Sequence, residues 1–143
     1  MLRPAFPKED PMSVDKFSAI FDGLKQAYGT YKVEKTQSNG KNTGKASILK
    51  EPRTPKLWKG HLSGKGTSIG IIPINEDNCC KWGCIDVDQY PLDHKVLIEK
   101  IRALKLPLVV CRSKSGGAHC YLFCKEWIEA KDMQKVLTHL SAA

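Results

Sequence analysis

Long apolar runs are missing from this chain. None of its 143 residues lies in a stretch approaching the roughly 18 apolar residues of a membrane span. The polar start MLRPAFPKEDP also lacks the apolar core of a secretory signal, so the expected setting is cytoplasmic, with no membrane partner. In that setting the six Cys are expected as reduced thiols rather than as a disulfide framework. Acidic residues are the second scarcity. Residues 23–75 hold only two, Glu34 and Glu51, against ten Lys and Arg, whereas residues 76–143 hold nine acids and ten bases. The net charge of +8 is thus concentrated in a Lys-rich block interleaved with Gly, Asn, Thr and Ser. Such a block is the electrostatic footprint of a polyanion partner, although taken alone it reads equally as a solvated surface loop.

Apolar spacing lays out the elements. Residues 1–12 are Pro-rich and read as a loose tail, and 13–143 as one domain with a basic part over 13–75 and a second part over 76–143. Phe17, Ile20, Phe21, Leu24 and Tyr28 recur at helical intervals after Ser13, a candidate N-cap, with Asp15 in the first turn and Gly29 past the end. Strand-like pieces at 31–33 and 47–49 flank Asn39-Gly40 and Gly44-Lys45. A short helix is expected over 58–62, and strands over 68–74 and 81–88. Leu92, Val96, Leu97, Ile101 and Leu104 predict an amphipathic helix with Asp93 near its start. Residues 106–112 are almost wholly apolar, as in a strand buried on both faces. Residues 113–117 turn the chain, 118–124 return as a strand, and a last helix is expected over 129–140.

The fold class is therefore α/β, in the α+β sense. From residue 81 the order is βαββα, the ferredoxin-like or RNA-recognition-motif-like pattern without its last strand, preceded by a small basic α/β part. In that topology the first and third strands are antiparallel neighbours. The end of the strand carrying Asp86 and Asp88 then lies beside the start of the strand carrying His119.

Two segments carry chemistry. WGCIDVD (82–88) is an apolar strand ending in two carboxylates at i, i+2, which strand alternation puts on one face. Paired carboxylates suit a hard cation such as Mg²⁺, commonly held by one or two carboxylates plus substrate phosphates. VVCRSKSGGAHCYLF (109–123) places Arg112, Ser113, Lys114, Ser115 and His119 around Gly116-Gly117. With backbone N–H groups of residues 115–117, these side chains read as a phosphate cradle. Phosphoryl transfer asks for metal ions on phosphate oxygens and for donors that hold the polyphosphate in line. His119 reads as a phosphate contact rather than a general base, because no carboxylate adjoins it in sequence. Singly, an Asp-x-Asp is more often a turn or cap, a Ser-Gly-Gly hairpin a simple turn and a strand His structural. Their conjunction in a basic chain is far more specific.

These two segments resemble the first two motifs of archaeo-eukaryotic-type primases, a hydrophobic strand ending in Asp-x-Asp and then a small-x-His motif. LWKGHLSGKGTSIGIIPINEDNCCKW (57–82) is similar to the lead-in of the primase domains of phage and plasmid primase-polymerases and of TOTE conflict systems. The resemblance covers about residues 57–125 well and the N-terminal third weakly. It implies a DNA primase-polymerase that uses Mg²⁺ or Mn²⁺ to join nucleoside triphosphates on a single-stranded DNA template. Asp86 and Asp88 match the metal-binding pair and His119 the nucleotide-phosphate-binding His. Arg112, Ser113, Lys114 and Ser115, with Gly116 and Gly117, match the loop bordering the triphosphate. Such primases carry a third acidic residue on a later strand. Here Glu126, Glu129 and Asp132 are expected before or early in the last helix, and the sequence stops at Ser141-Ala142-Ala143. The chain therefore reads as an incomplete site (a fragment, a split product or a decayed copy), with a downstream helicase or a C-terminal segment on another chain as expected partners. Whether it is an enzyme by itself is left open.

Two rival functions share the same features. One is a single-stranded nucleic-acid-binding module without catalysis, and the other is a metal-dependent nuclease. Other signals carry less. Cys79, Cys80, Cys84, Cys111, Cys120 and Cys124 lack the paired loop spacing of a zinc site and read as small apolar residues. His61 and His94 have no supporting pattern. Residues 39–46 fail the phosphate-loop spacing, with Asn39 and Ala46 at the wrong ends. Trp58, Trp82 and Trp127 read as packing residues, and Tyr121 either as a core residue or as a base-stacking one.

Overall fold

The computed structural model describes residues 11–36, 42–113 and 115–143, and the chain divides into two compact units between Ile72 and Pro73. In the first unit, α1 (Pro11–Ile20) precedes an antiparallel pair, β1 (Tyr28–Thr36) and β2 (Asn42–Leu49). Then come α2 (Pro55–Leu62) and β3 (Ser68–Gly70), which pairs with β1 to give the sheet order β2-β1-β3. Thr54 starts α2 by accepting the Leu57 N–H at 3.3 Å, and Pro55 occupies the first turn, where its missing donor costs nothing. The helix buries Trp58 against Tyr28 and Ile69, with Phe21, Leu57 and Ile71 packed around them.

Several expectations are corrected here. The helix expected from Ser13 to Tyr28 begins at Pro11 and stops at Ile20. The chain breaks at Asp22-Gly23, where the Asp22 Oδ1 accepts the Gly23 N–H at 2.8 Å, and Tyr28 and Gly29 enter β1. Ser13 thus lies inside the helix rather than capping it, and residues 1–10 of the expected tail lie outside the described residues. Asn39-Gly40 lies outside them as well, while residues 42–46 of the loop-like segment are in β2. The strand expected over 68–74 ends at Gly70, because the Ile72 carbonyl turns to accept the Leu24 N–H at 2.9 Å.

The second unit contains β4 (Cys79–Val87), α3 (His94–Ala103), β5 (Val109–Arg112), β6 (Ala118–Glu129) and α4 (Ala130–Ser141). This is the expected βαββα order, and the mixed helix and antiparallel-sheet composition is that of an α+β fold. β6 is central in the order β4-β6-β5 and antiparallel to both neighbours. Asp93 caps α3, its Oδ1 accepting the N–H groups of Lys95 at 2.9 Å and Val96 at 3.2 Å. Cys80, Leu122 and Met133 form the core, with Leu108, Ile128, Leu137 and Leu140 packed against it. β5 is an edge strand, not one buried on both faces: Val109, Cys111 and Arg112 are exposed. Residues 105–108 are spent leaving α3, with Lys105 at a φ of 53° and the Leu106 N–H bonded to the Ile101 carbonyl at 3.0 Å. β6 runs five residues past its expected end at Cys124, to Glu129. Among the described residues no helix is long and apolar enough to cross a membrane.

Gly83 is where α4 meets the sheet. A Cβ there would lie 2.6 Å from Leu137 Cδ1 and 2.9 Å from Met133 Cγ. Gly83→Val is expected to overpack this contact and cost about 1–3 kcal/mol. Urea unfolding checks it, and an unchanged midpoint would contradict the close approach of α4.

Candidate active site

The pairing of β4 with β6 builds the centre of the site. Asp86 and His119 are direct cross-strand partners, so their side chains leave the sheet on the same face. His119 Nε2 lies 3.5 Å from Asp86 Oδ1, and both side chains reach solvent, at 40% and 59% exposure. On the other side of the ring, the Tyr121 hydroxyl lies 3.4 Å from His119 Nδ1. Burial, then the Cys84 and Cys111 thiols and the Asp86 carboxylate, push the Tyr121 phenol up from its ordinary value. A carboxylate only accepts, so the ring nitrogen that faces Asp86 is the one that presents a proton to it. That nitrogen is Nε2. No carboxylate adjoins His119 in sequence, and the one beside it arrives across the sheet from 33 positions earlier, as the strand order predicts.

Asp88 is placed differently from the expectation. β4 ends at Val87, so strand alternation no longer fixes the Asp88 side chain on the face of Asp86. Its Oδ1 instead accepts the Tyr90 hydroxyl at 3.0 Å. That hydroxyl also lies 2.7 Å from Ser115 Oγ, which in turn lies 3.2 Å from Ser113 Oγ. Asp88 is thereby connected to the turn at residues 113–117.

The turn is tight and partly closed on itself. The Ser113 N–H bonds to the Gly117 carbonyl at 2.9 Å, and the Gly116 N–H bonds to the Ser113 carbonyl at 3.1 Å. The Gly116 amide, expected as part of a phosphate cradle, is thus committed within the turn. Gly116 has a φ of 96°, which favours glycine. At Gly117 a Cβ would collide with the Val87 carbonyl oxygen, so only glycine lets the turn seat against the end of β4. His94 Nε2 also contacts the Gly117 carbonyl at 2.9 Å, tying the start of α3 to the same turn. Ser113 is buried and Ser115 exposed. Arg112 pairs with Ala118, which puts it on the sheet face opposite His119. Lys114 lies outside the described residues.

The acids considered for a third position are remote. Glu126 lies within β6 rather than after it, Glu129 ends that strand opposite Cys79, and Asp132 is in the first turn of α4. Seven positions separate His119 from Glu126 along β6, which at about 3.3 Å per residue is roughly 20 Å. Among the described residues no three His, Cys, Asp or Glu side chains converge as a ligand set. Asp86 and Asp88 fit a hard cation in a more limited way. They offer water-accessible carboxylates, the donors that suit Mg²⁺ or Mn²⁺ when water and phosphate complete the shell. Sequence reasoning missed Tyr90 and His94. Tyr90 had a weak signal in its place two residues past Asp88, at a Pro-containing turn; His94 had none.

A family model described as "TOTE conflict system, Archaeo-Eukaryotic Primase domain" matches residues 13–143. No curated protein matches the chain.

Three thiols of this sheet, Cys80, Cys84 and Cys120, are held in the neutral form. Burial, the Asp86 carboxylate and the nearby Cys120 and Cys111 push Cys84 from 9.0 up to about 11, and burial likewise raises Cys80 and Cys120. Because folding favours the neutral Cys84 thiol, its contribution to stability is complete below about pH 9 and is lost as pH rises towards 11. Iodoacetamide at about pH 8 is expected to modify the exposed Cys111 well before Cys80, Cys84 and Cys120. Peptide mass spectrometry reads the order, and equal rates at all four would contradict it.

Proposed function

Because the chain belongs to the family of TOTE conflict system archaeo-eukaryotic primase domains, we propose that it carries the nucleotide-joining centre of a DNA primase-polymerase. Its substrates are nucleoside triphosphates and its template is single-stranded DNA. One observation carries the reading: Asp86 and His119 stand opposite each other on β4 and β6, at the end of the sheet where the 113–117 turn is seated. Asp86 and Asp88 would hold Mg²⁺ or Mn²⁺, which when bound polarises phosphoryl oxygens and neutralises developing charge. His119, oriented by Tyr121, points its Nε2–H towards the same place and donates to a triphosphate oxygen there. Hydrogen bonds of this charged type are worth about 1.5–3 kcal/mol each. Ser115 is exposed beside Asp88 and lies within reach of the same phosphates. Gly117 has a structural task, since it lets the turn reach the β4 end. The Lys-rich block of the first unit supplies sequence-independent attraction for a nucleic-acid backbone.

A second reading has its own support. No third carboxylate among the described residues converges with Asp86 and His119, which favours a single-stranded DNA-binding module without chemistry. Incubation with Mn²⁺, nucleoside triphosphates and a single-stranded template separates the two. Primer synthesis or extension that falls by at least about a hundredfold in Asp86→Ala is the expected outcome. DNA binding with a steep salt dependence but no joined nucleotides would favour the binding module. Template degradation would favour a metal-dependent nuclease.

A further inference from the structure

Tyr90 stands outside both sequence motifs, yet its hydroxyl connects them. It contacts Asp88 Oδ1 at 3.0 Å and Ser115 Oγ at 2.7 Å, and Ser115 Oγ is 3.2 Å from Ser113 Oγ. Counting protons gives this row a direction. A carboxylate only accepts, so the single Tyr90 proton goes to Asp88. The Ser115 hydroxyl must then donate to Tyr90, and the Ser113 hydroxyl to Ser115. The row therefore runs Ser113 to Ser115 to Tyr90 to Asp88 and ends on the negative charge, an order in which each bond polarises the next.

Packing does not explain the arrangement. Tyr90 is 53% exposed, so its ring is not held by a core, while its hydroxyl is committed at both ends. The same hydroxyl stands over the turn, 3.4 Å from where a Cβ on Gly117 would be. Asp88 also needs such an anchor, because it lies beyond the last β4 residue and receives no orientation from the sheet ladder.

We propose that Tyr90 is a positioning residue for Asp88. Its hydroxyl fixes one carboxylate oxygen, which aims the other at a divalent cation, and it couples that carboxylate to the turn that borders the nucleotide phosphates. Partners that orient a ligating carboxylate in this way typically change metal affinity by about 10- to 100-fold when removed. The inference rests on the reading of Asp88 as a metal ligand.

Binding of a mant-labelled deoxynucleoside triphosphate to the full chain, followed by fluorescence with Mn²⁺ or with EDTA and without template, tests it. The wild-type protein is expected to bind more tightly with Mn²⁺, and Asp88→Ala to lose that gain. Tyr90→Phe, which removes only the hydroxyl, is expected to weaken Mn²⁺-dependent binding about tenfold or more and to leave binding in EDTA unchanged. Ser115→Ala added to Tyr90→Phe is expected to leave the ratio of Mn²⁺ to EDTA affinity where Tyr90→Phe alone sets it, since the row is already cut, whatever phosphate contact Ser115 loses in both conditions. If Asp88→Ala loses the Mn²⁺ gain and Tyr90→Phe keeps it, the positioning role is overturned and the metal reading stands. A Tyr90→Phe loss of equal size in EDTA also overturns it, because the hydroxyl then acts on the turn and not through Asp88. Absence of any Mn²⁺ gain in the wild type overturns both readings. Should Tyr90→Phe fail to fold, Ser115→Ala alone interrupts the same row. A smaller Mn²⁺-dependent loss there supports the proposal, and an unchanged affinity overturns it.

Discussion

The antiparallel register of β4 on β6 is the constraint from which the site follows. With Asp86 opposite His119, a carboxylate and an imidazole meet on one face of the sheet, and Val87 opposite Ala118 brings the 113–117 turn against the strand end. A slip of one residue would set Asp86 against Ala118 or Cys120 and separate the two groups onto opposite faces. The register is pinned from both sides. On the inner face Gly83 admits Met133 and Leu137 of α4, where any larger residue would collide. On the outer face Trp82, Tyr121 and Phe123 interlock, with ring centroids 6.0 and 5.9 Å apart. The packing that stabilises the unit is therefore the same packing that aligns its chemistry.

What could be read from the residues alone was what depends on local pattern. The amphipathic spacing from Leu92 to Leu104 and the Asp93 cap gave α3, and the βαββα order gave the neighbour relation of β4 and β6. Pattern failed where one periodicity crossed two elements. Phe21, Leu24 and Tyr28 continue the spacing of α1, but they serve a break and a strand, because burying Tyr28 against Trp58 outweighs further helix. Composition failed at β5, since an apolar strand reads the same whether it has one neighbour or two.

Within the site, position was more legible than contact. The neighbour relation of Asp86 and His119 could be read, because strand order carries that information. The bond from Tyr90 to Asp88 could not, since it depends on a chain reversal that no spacing rule describes. Arg112 shows the converse limit. It sits in the motif, yet the register carries it to the other face of the sheet.

The length of β6 bears on how a cation would be held. Because the strand continues to Glu129 before α4 begins, Glu126, Glu129 and Asp132 are carried away from the His119 end. A cation at Asp86 and Asp88 would thus draw few oxygen ligands from the described residues, and Mg²⁺ so held keeps several waters. In the proposed reading triphosphate oxygens replace some of that water, so metal and nucleotide each supply ligands that the other lacks. Their binding is then coupled by the same factor in both directions. A site of this kind has little use for a rigid metal cage. In that reading the carboxylates and the 113–117 turn need a fixed separation, which the seating of Gly117 on Val87 and the row from Ser113 to Asp88 would supply.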